Sequence, residues 1–171
     1  VLNSSIVGSN VQGSSGVLNE NGYTNIYGVS EEDYINKNLV SSSDSRDSVI
    51  KMISYAKEHD ANYNTKGMNI SNYENGINAT GGSYVTFSGI EIRDCLENGI
   101  FSSGTSLYGY KAKVSGCKNG VNCSGTLFAY DKLVSDNNTN IGVNSNTITG
   151  NNSLSEIESY GSKVGIYVGS N

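Results

Sequence analysis

The sequence predicts an all-β fold, a right-handed parallel β-helix of about 22 residues per rung with an N-terminal capping α-helix. Three observations lead there. A glycine followed by a β-branched residue recurs at Gly76-Ile77, Gly99-Ile100, Gly120-Val121, Gly142-Val143 and Gly165-Ile166, at intervals of 23, 21, 22 and 23 residues. A second set of positions keeps the same period: Val85, Leu107 and Leu127 align, as do Phe87, Gly109 and Ala129. Hydrophobic residues make up only 36% of the chain, with 21 Gly and no Pro or Trp. A thin core rebuilt in every repeat needs fewer apolar residues than a globule does.

Residues 1–43 read as a Ser/Gly/Asn-rich lead-in. Its short apolar pieces, Val17-Leu18 and Asn25-Ile26-Tyr27, fit either an edge sheet or a loosely held entry. Residues 44–66 read as a capping helix and connector. Asp44 is placed to cap a helix N-terminus, with Asp47 in the first turn. Val49, Ile53 and Ala56 then follow at i, i+4 and i+7 with Ile50 beside them, one apolar stripe that ends near His59-Asp60.

Residues 67–171 read as rungs, beginning at Met68-Asn69-Ile70. Three of the recurring glycines follow Asn, in Asn75-Gly76, Asn98-Gly99 and Asn119-Gly120. Asn-Gly supplies the positive φ angles of a sharp corner, so these dipeptides are expected at corners. Setting Cys95, Cys117 and Asn137 level puts Ile92, Val114 and Val134 in one column, with alternating parity as strands require. The unit around Ile148 to Tyr160 fits less well. Repeats of this length bury their apolar face by stacking on neighbours. An antiparallel sandwich would not keep one turn dipeptide in register over four repeats. The Leu/Asn signature of leucine-rich repeats is missing, as is the six-residue apolar period of a left-handed hexapeptide helix. Right-handedness follows from the general preference for right-handed crossovers.

The cysteines, Cys95, Cys117 and Cys123, are odd in number and lack a metal-ligand spacing. Cys95 and Cys117 are one repeat apart and are expected to stack as small buried residues. A net charge of −5 without any Lys/Arg cluster gives no footprint for nucleic acid. No apolar run has the length of a membrane span. The chain starts at Val1, and Gly165-Ile166-Tyr167-Val168-Gly169 reads like the start of another rung, so a piece of a larger polypeptide is expected.

The helix from Asp44 to His59, followed by Asn-Tyr-Asn-Thr-Lys-Gly-Met-Asn-Ile-Ser (62–71) and the Gly-Ile rungs, resembles the entry of pectate-lyase-like right-handed β-helices. Bacteriophage tailspikes and receptor-binding appendages share that layout. The resemblance covers roughly residues 44 to 171 and lacks the Asp-Gly-x-x-Asp-Asp-Thr stretch common before the helix. It implies a helix plugging the N-terminal end of the solenoid, and a role in a trimeric surface appendage. Enrichment in Asn, Ser, Gly and Tyr agrees with a virion appendage and equally with nucleotide bias. Asn columns in such a stack can form side-chain amide ladders.

Strand parity supplies the leading surface feature. With Leu107 and Leu127 inward, Tyr108, Tyr110, Phe128 and Tyr130 face outward on adjacent rungs about 4.8 Å apart. Four such rings, bordered by Lys111, Asp131 and Lys132, would make a flat aromatic platform suited to sugar rings. The competing readings are contact with a neighbouring subunit and plain cross-strand packing. For glycoside hydrolysis, which needs two carboxylates, the weak candidates are Asp94 and Asp136. They lie near one corner, two rungs or on the order of 9.6 Å apart. Arg93 beside Asp94 is a thin hint of a lyase, and the single His59 a poor start for a Ser-His-Asp triad.

The expected function is a structural and adhesive segment of a phage tailspike, tail fibre or similar surface appendage. Its expected place is the virion, or alternatively outside the cell or on its surface. The expected partners are a host cell-surface polysaccharide, other virion proteins and two further copies in a homotrimer. No nucleic acid, membrane insertion, cofactor or metal is expected. The alternatives are a polysaccharide depolymerase, as lyase or glycoside hydrolase, and a bacterial surface adhesin.

Overall fold

The computed structural model describes residues 4–28, 68–81, 84–147, 153–154 and 156–170. Among these residues every regular element is a β-strand and every strand pairing is parallel. An 8-stranded sheet runs through β1 (Ser5–Val7), β4 (Met68–Ser71), β6 (Tyr84–Arg93), β8 (Ser106–Ser115), β10 (Leu127–Asp136) and β12 (Ser153–Leu154). β3 (Tyr23–Tyr27) also pairs with β6, and β13 (Ile157–Tyr160) with β10. A 6-stranded sheet runs through β2 (Ser15–Glu20), β5 (Asn75–Thr80), β7 (Asn98–Ser103), β9 (Asn119–Cys123), β11 (Ile141–Thr147) and β14 (Val164–Ser170). The chain crosses from one sheet to the other in each turn and returns one strand further on. The fold is a parallel β-solenoid of about 23 residues per turn.

The capping helix expected over 44–59 lies outside the described residues, and no helix occurs among those described. Residues of the lead-in already form solenoid strands: Ser5 to Val7 pair with Asn69 to Ser71, Val17 with Ile77, and Tyr23 with Tyr84.

The columns expected for the first limb of the long strands are present. Val85, Leu107 and Leu127 are Cα partners, as are Phe87, Gly109 and Ala129. Phe87 sits over Gly109, and a Cβ at Gly109 would overlap its ring. A large residue thus faces a small one, as close packing requires. On the opposite sheet Val17, Ile77, Ile100, Val121 and Val143 form the matching buried column. Burying each such side chain stabilises the stack by about 1.5–3 kcal/mol.

The second limb departs from expectation. Each long strand bends at a residue of positive φ: Gly89 at 60°, Lys111 at 50° and Lys132 at 76°. In β10 both Asp131 and Lys132 oppose the single Lys111, and the register shifts between Tyr130 and Leu133. This bulge moves everything after it by one residue. Val114 therefore pairs with Ser135, and Val134 pairs with Lys113, so Val134 does not continue the Ile92–Val114 column. For the same reason Asn138, not Asn137, stands level with Cys117 and accepts its backbone N–H at 3.0 Å.

The corners are also elsewhere. Gly76, Gly99, Gly120, Gly142 and Gly165 lie in strands and none has positive φ. The left-handed residues at this corner are Asn72, Asp94, Gly116, Asn137 and Gly161, a column a few residues earlier in each turn. What the recurring glycines supply is close approach. A Cβ at Gly76 would lie 2.6 Å from the carbonyl oxygen of Gly99, and one at Gly99 would lie 2.8 Å from that of Gly120. The Asn before Gly76, Gly99 and Gly120 has its own task, which Asn140 continues one turn on. The amide of Asn98 donates to Asn75 Oδ1 at 2.8 Å, Asn119 to Asn98 at 3.0 Å, and Asn140 to Asn119 at 3.0 Å. A branch continues through Asn122, which donates to Asn98 at 3.3 Å, and Asn144, which donates to Asn122 at 3.0 Å. The Asn-Gly repeat therefore encodes a buried amide ladder beside a glycine seam.

Asn98 is the node of that ladder, joined to Asn75, Asn119 and Asn122 at once. Truncating it leaves buried amide groups unpaired, at about 1–3 kcal/mol for each. Asn98→Ala is expected to lower unfolding free energy in urea by about 3 kcal/mol. Asn140→Ala should cost less, since Asn140 makes one such bond. Equal losses would show that the ladder does not act as a connected network.

Candidate binding face

The candidate face is the outer side of the first limb of the 8-stranded sheet, on β3, β6, β8 and β10. Alternation sets it. Val85, Phe87, Leu107 and Leu127 are buried in the solenoid, so the residues between them face out. Tyr84 and Tyr108 are such residues, and both are half-buried. Tyr23 is the Cα partner of Tyr84, and their ring centroids are 4.4 Å apart with planes at 69°. Tyr84 meets Tyr108 at 5.7 Å with planes at 80°. Edge-to-face pairs at these distances each contribute about 0.5–1.5 kcal/mol beyond area burial. The three rings form a continuous row across three turns, and Tyr23 at its end is 74% exposed.

Of the four aromatic residues expected to form a platform, Tyr108 has its ring described, and it belongs to this row. The strand register sets Phe128 beside Tyr108 and Tyr130 beside Tyr110. The side chains of Tyr110, Phe128 and Tyr130 lie outside the described residues. The described rings stand at steep angles to one another, so their surface is ribbed where the sequence suggested a flat one.

The expected basic border has partners. Lys132 stands at the bulge and forms a 2.8 Å ion pair with Glu158. The Glu158 carboxylate, accepting a hydrogen bond from it, holds the Lys132 pKa above the ordinary lysine value. Lys111 is the exposed left-handed residue of the preceding turn. Surface pairs of this kind contribute little to stability.

The two carboxylates of the hydrolase alternative occupy different columns. Asp94 is a left-handed corner residue, exposed, and paired with Arg93 at 2.9 Å. Asp136 ends β10 one position before the corner; its side chain is 18% exposed and lies 3.9 Å from Lys113 Nζ. Asp136 Oδ1 is buried without a hydrogen-bond partner. Among the described residues no three His, Cys, Asp or Glu side chains are grouped to hold a metal.

The sequence reading missed Tyr23 and Tyr84. Parity alone places Tyr84 outward once Val85 is inward. Tyr23 needed recognition that Tyr23-Thr24-Asn25-Ile26 repeats the spacing of Tyr84-Val85-Thr86-Phe87, an aromatic residue three positions before a buried one.

No protein-family model, curated protein or solved structure matches this chain.

Proposed function

We propose that this chain is a structural and adhesive segment of a phage tailspike, tail fibre or similar surface appendage, which binds a host cell-surface glycan along its aromatic row. The observation that carries this reading is the contact of Tyr23, Tyr84 and Tyr108 across successive turns. The strands beneath are locked in register, so the rings are presented at a fixed spacing with little ordering left to do on binding. Aromatic faces and edges pack against the C–H surfaces of sugars, while flanking polar groups bond hydroxyls. The proposed setting is the virion, as a homotrimer together with other virion proteins. Rigid solenoids suit that setting because successive turns extend a surface without adding a deep core.

Converting Tyr23, Tyr84, Tyr108, Tyr110, Phe128 and Tyr130 together to Ala is expected to weaken binding to host cells or immobilised polysaccharide about tenfold or more. That corresponds to about 1.4 kcal/mol or more. The circular dichroism of the variant should match that of the parent. Unchanged binding by a folded variant would eliminate the aromatic row as the adhesive surface. The sheltered, partly unsatisfied Asp136 favours a polysaccharide depolymerase as the second reading. Under that reading the polysaccharide shortens during the binding assay, and Asp136→Asn stops the shortening.

A further inference from the structure

We propose that Cys95 and Cys117 form a modification site: two stacked thiols on consecutive turns that a peroxide converts to a disulfide tying those turns together. Both residues are buried and unbridged. They occupy equivalent corner positions of the solenoid, immediately after the left-handed residues Asp94 and Gly116. Parallel pairing on either side holds them level: Asp94 donates its N–H to the Ser115 carbonyl at 3.0 Å, and Asn119 donates its N–H to the Glu97 carbonyl at 2.8 Å. The backbone N–H of Cys95 itself donates to Cys117 Sγ at 3.4 Å.

Consecutive turns are about 4.8 Å apart. A disulfide spans Cα atoms roughly 4.4–6.8 Å apart. The backbone therefore already has the separation that the bond requires, and side-chain rotation within the pair completes it. Each thiol also reaches the carbonyl two residues before it, Cys95 to Arg93 at 3.7 Å and Cys117 to Ser115 at 3.4 Å. Both can thus turn between that carbonyl and each other.

The chemistry needs only a small oxidant. The neighbouring Cys117 holds the Cys95 pKa below the ordinary thiol value, while Cys117 itself is pushed up by the same neighbour and by burial. Either sulfur, once ionised, can attack and give the same disulfide, and the lowered value favours Cys95. Its sulfur takes one oxygen from hydrogen peroxide as the O–O bond breaks, giving a sulfenic acid and one water. Cys117 sulfur then displaces that oxygen, which leaves with the Cys117 proton as a second water. Two thiols lose two electrons and two protons in total, and the peroxide is reduced to two waters. Cys123 serves as an internal control. It is buried on the other sheet, where its Cα partners are Ser102 and Ser145.

The test treats the native chain with hydrogen peroxide, alkylates the remaining thiols after denaturation, and maps the products by proteolysis and mass spectrometry. The expected product joins the Cys95 and Cys117 peptides at a mass about 2 Da below their sum. Cys123 is alkylated as in the untreated chain, a thiol reductant reverses the link, and the thermal midpoint rises while it is present. Cys117→Ser keeps an acceptor for the Cys95 N–H and should abolish both the link and the rise. Equal alkylation of all three cysteines after peroxide, a link through Cys123, or a link between chains would each overturn the proposal.

Discussion

Gly99→Val is expected to lower unfolding free energy by at least about 3 kcal/mol, enough to prevent folding of a marginal chain. The glycine lies in β7, in the seam where successive turns come closest. A Cβ there would overlap the Val114 side chain and stand 2.8 Å from the Gly120 carbonyl oxygen. The first obstacle is a stiff β-branched side chain and the second is backbone held by parallel pairing, so neither can move away cheaply. Overpacking a closed core commonly costs about 1–3 kcal/mol, and here the added group is more than one methyl. Gly165→Ala is the matched control from the same repeat. Its Cβ would meet nothing nearer than Ser159 Oγ at 3.7 Å, an ordinary contact. That substitution should change stability by no more than about 0.5 kcal/mol. If urea titrations show the two variants to be equally stable, the glycines are not retained for close approach.

Phe87→Ala is expected to cost about 3–5 kcal/mol, the range for truncating a buried aromatic ring. Phe87 is 1% exposed and lies between its Cα partners Ile26 and Gly109. Because glycine has no side chain to fill the vacancy, the cavity faces backbone on that side and collapses poorly. The same geometry predicts coupling. Gly109→Ala alone should destabilise, because its new methyl would overlap the ring; in a Phe87→Ala background that methyl enters the vacated space. The double variant should therefore be more stable than the sum of the two single effects. Strictly additive losses in urea unfolding would show that the ring does not occupy the space above Gly109.

Phe87 and Gly109 were legible as one column because the chain repeats Val85-Thr86-Phe87 as Leu107-Tyr108-Gly109 and Leu127-Phe128-Ala129. Period and parity are local properties, and they survive in a sequence wherever successive turns have equal length. The same local rule pointed Tyr108 outward. It was sufficient for Tyr84 as well, and failed for Tyr23 only because residues 29–67 interrupt the sequence between β3 and β4, which pair with the two limbs of β6.

Where turns differ in length, the sequence misleads. The extra residue at Asp131-Lys132 moves Ser135 into the place expected for Val134, and Asn138 into the place expected for Asn137. Nothing in composition marks a bulge, since Lys111 and Lys132 are unusual residues for a left-handed bend. The Asn-Gly dipeptides mislead in a different way. Their usual meaning is a corner, yet here Asn is retained for an amide that reaches the next turn and Gly for the carbonyl that lies against it.

By itself, then, the sequence determined that this protein is a stack of strand-and-corner repeats, because a period near 22 residues and alternating burial are written along the chain. Which residue of each repeat turns the corner, and which is squeezed between turns, were decided only by the tertiary structure. Those choices depend on contacts between residues one turn apart, and a single inserted residue shifts every one of them.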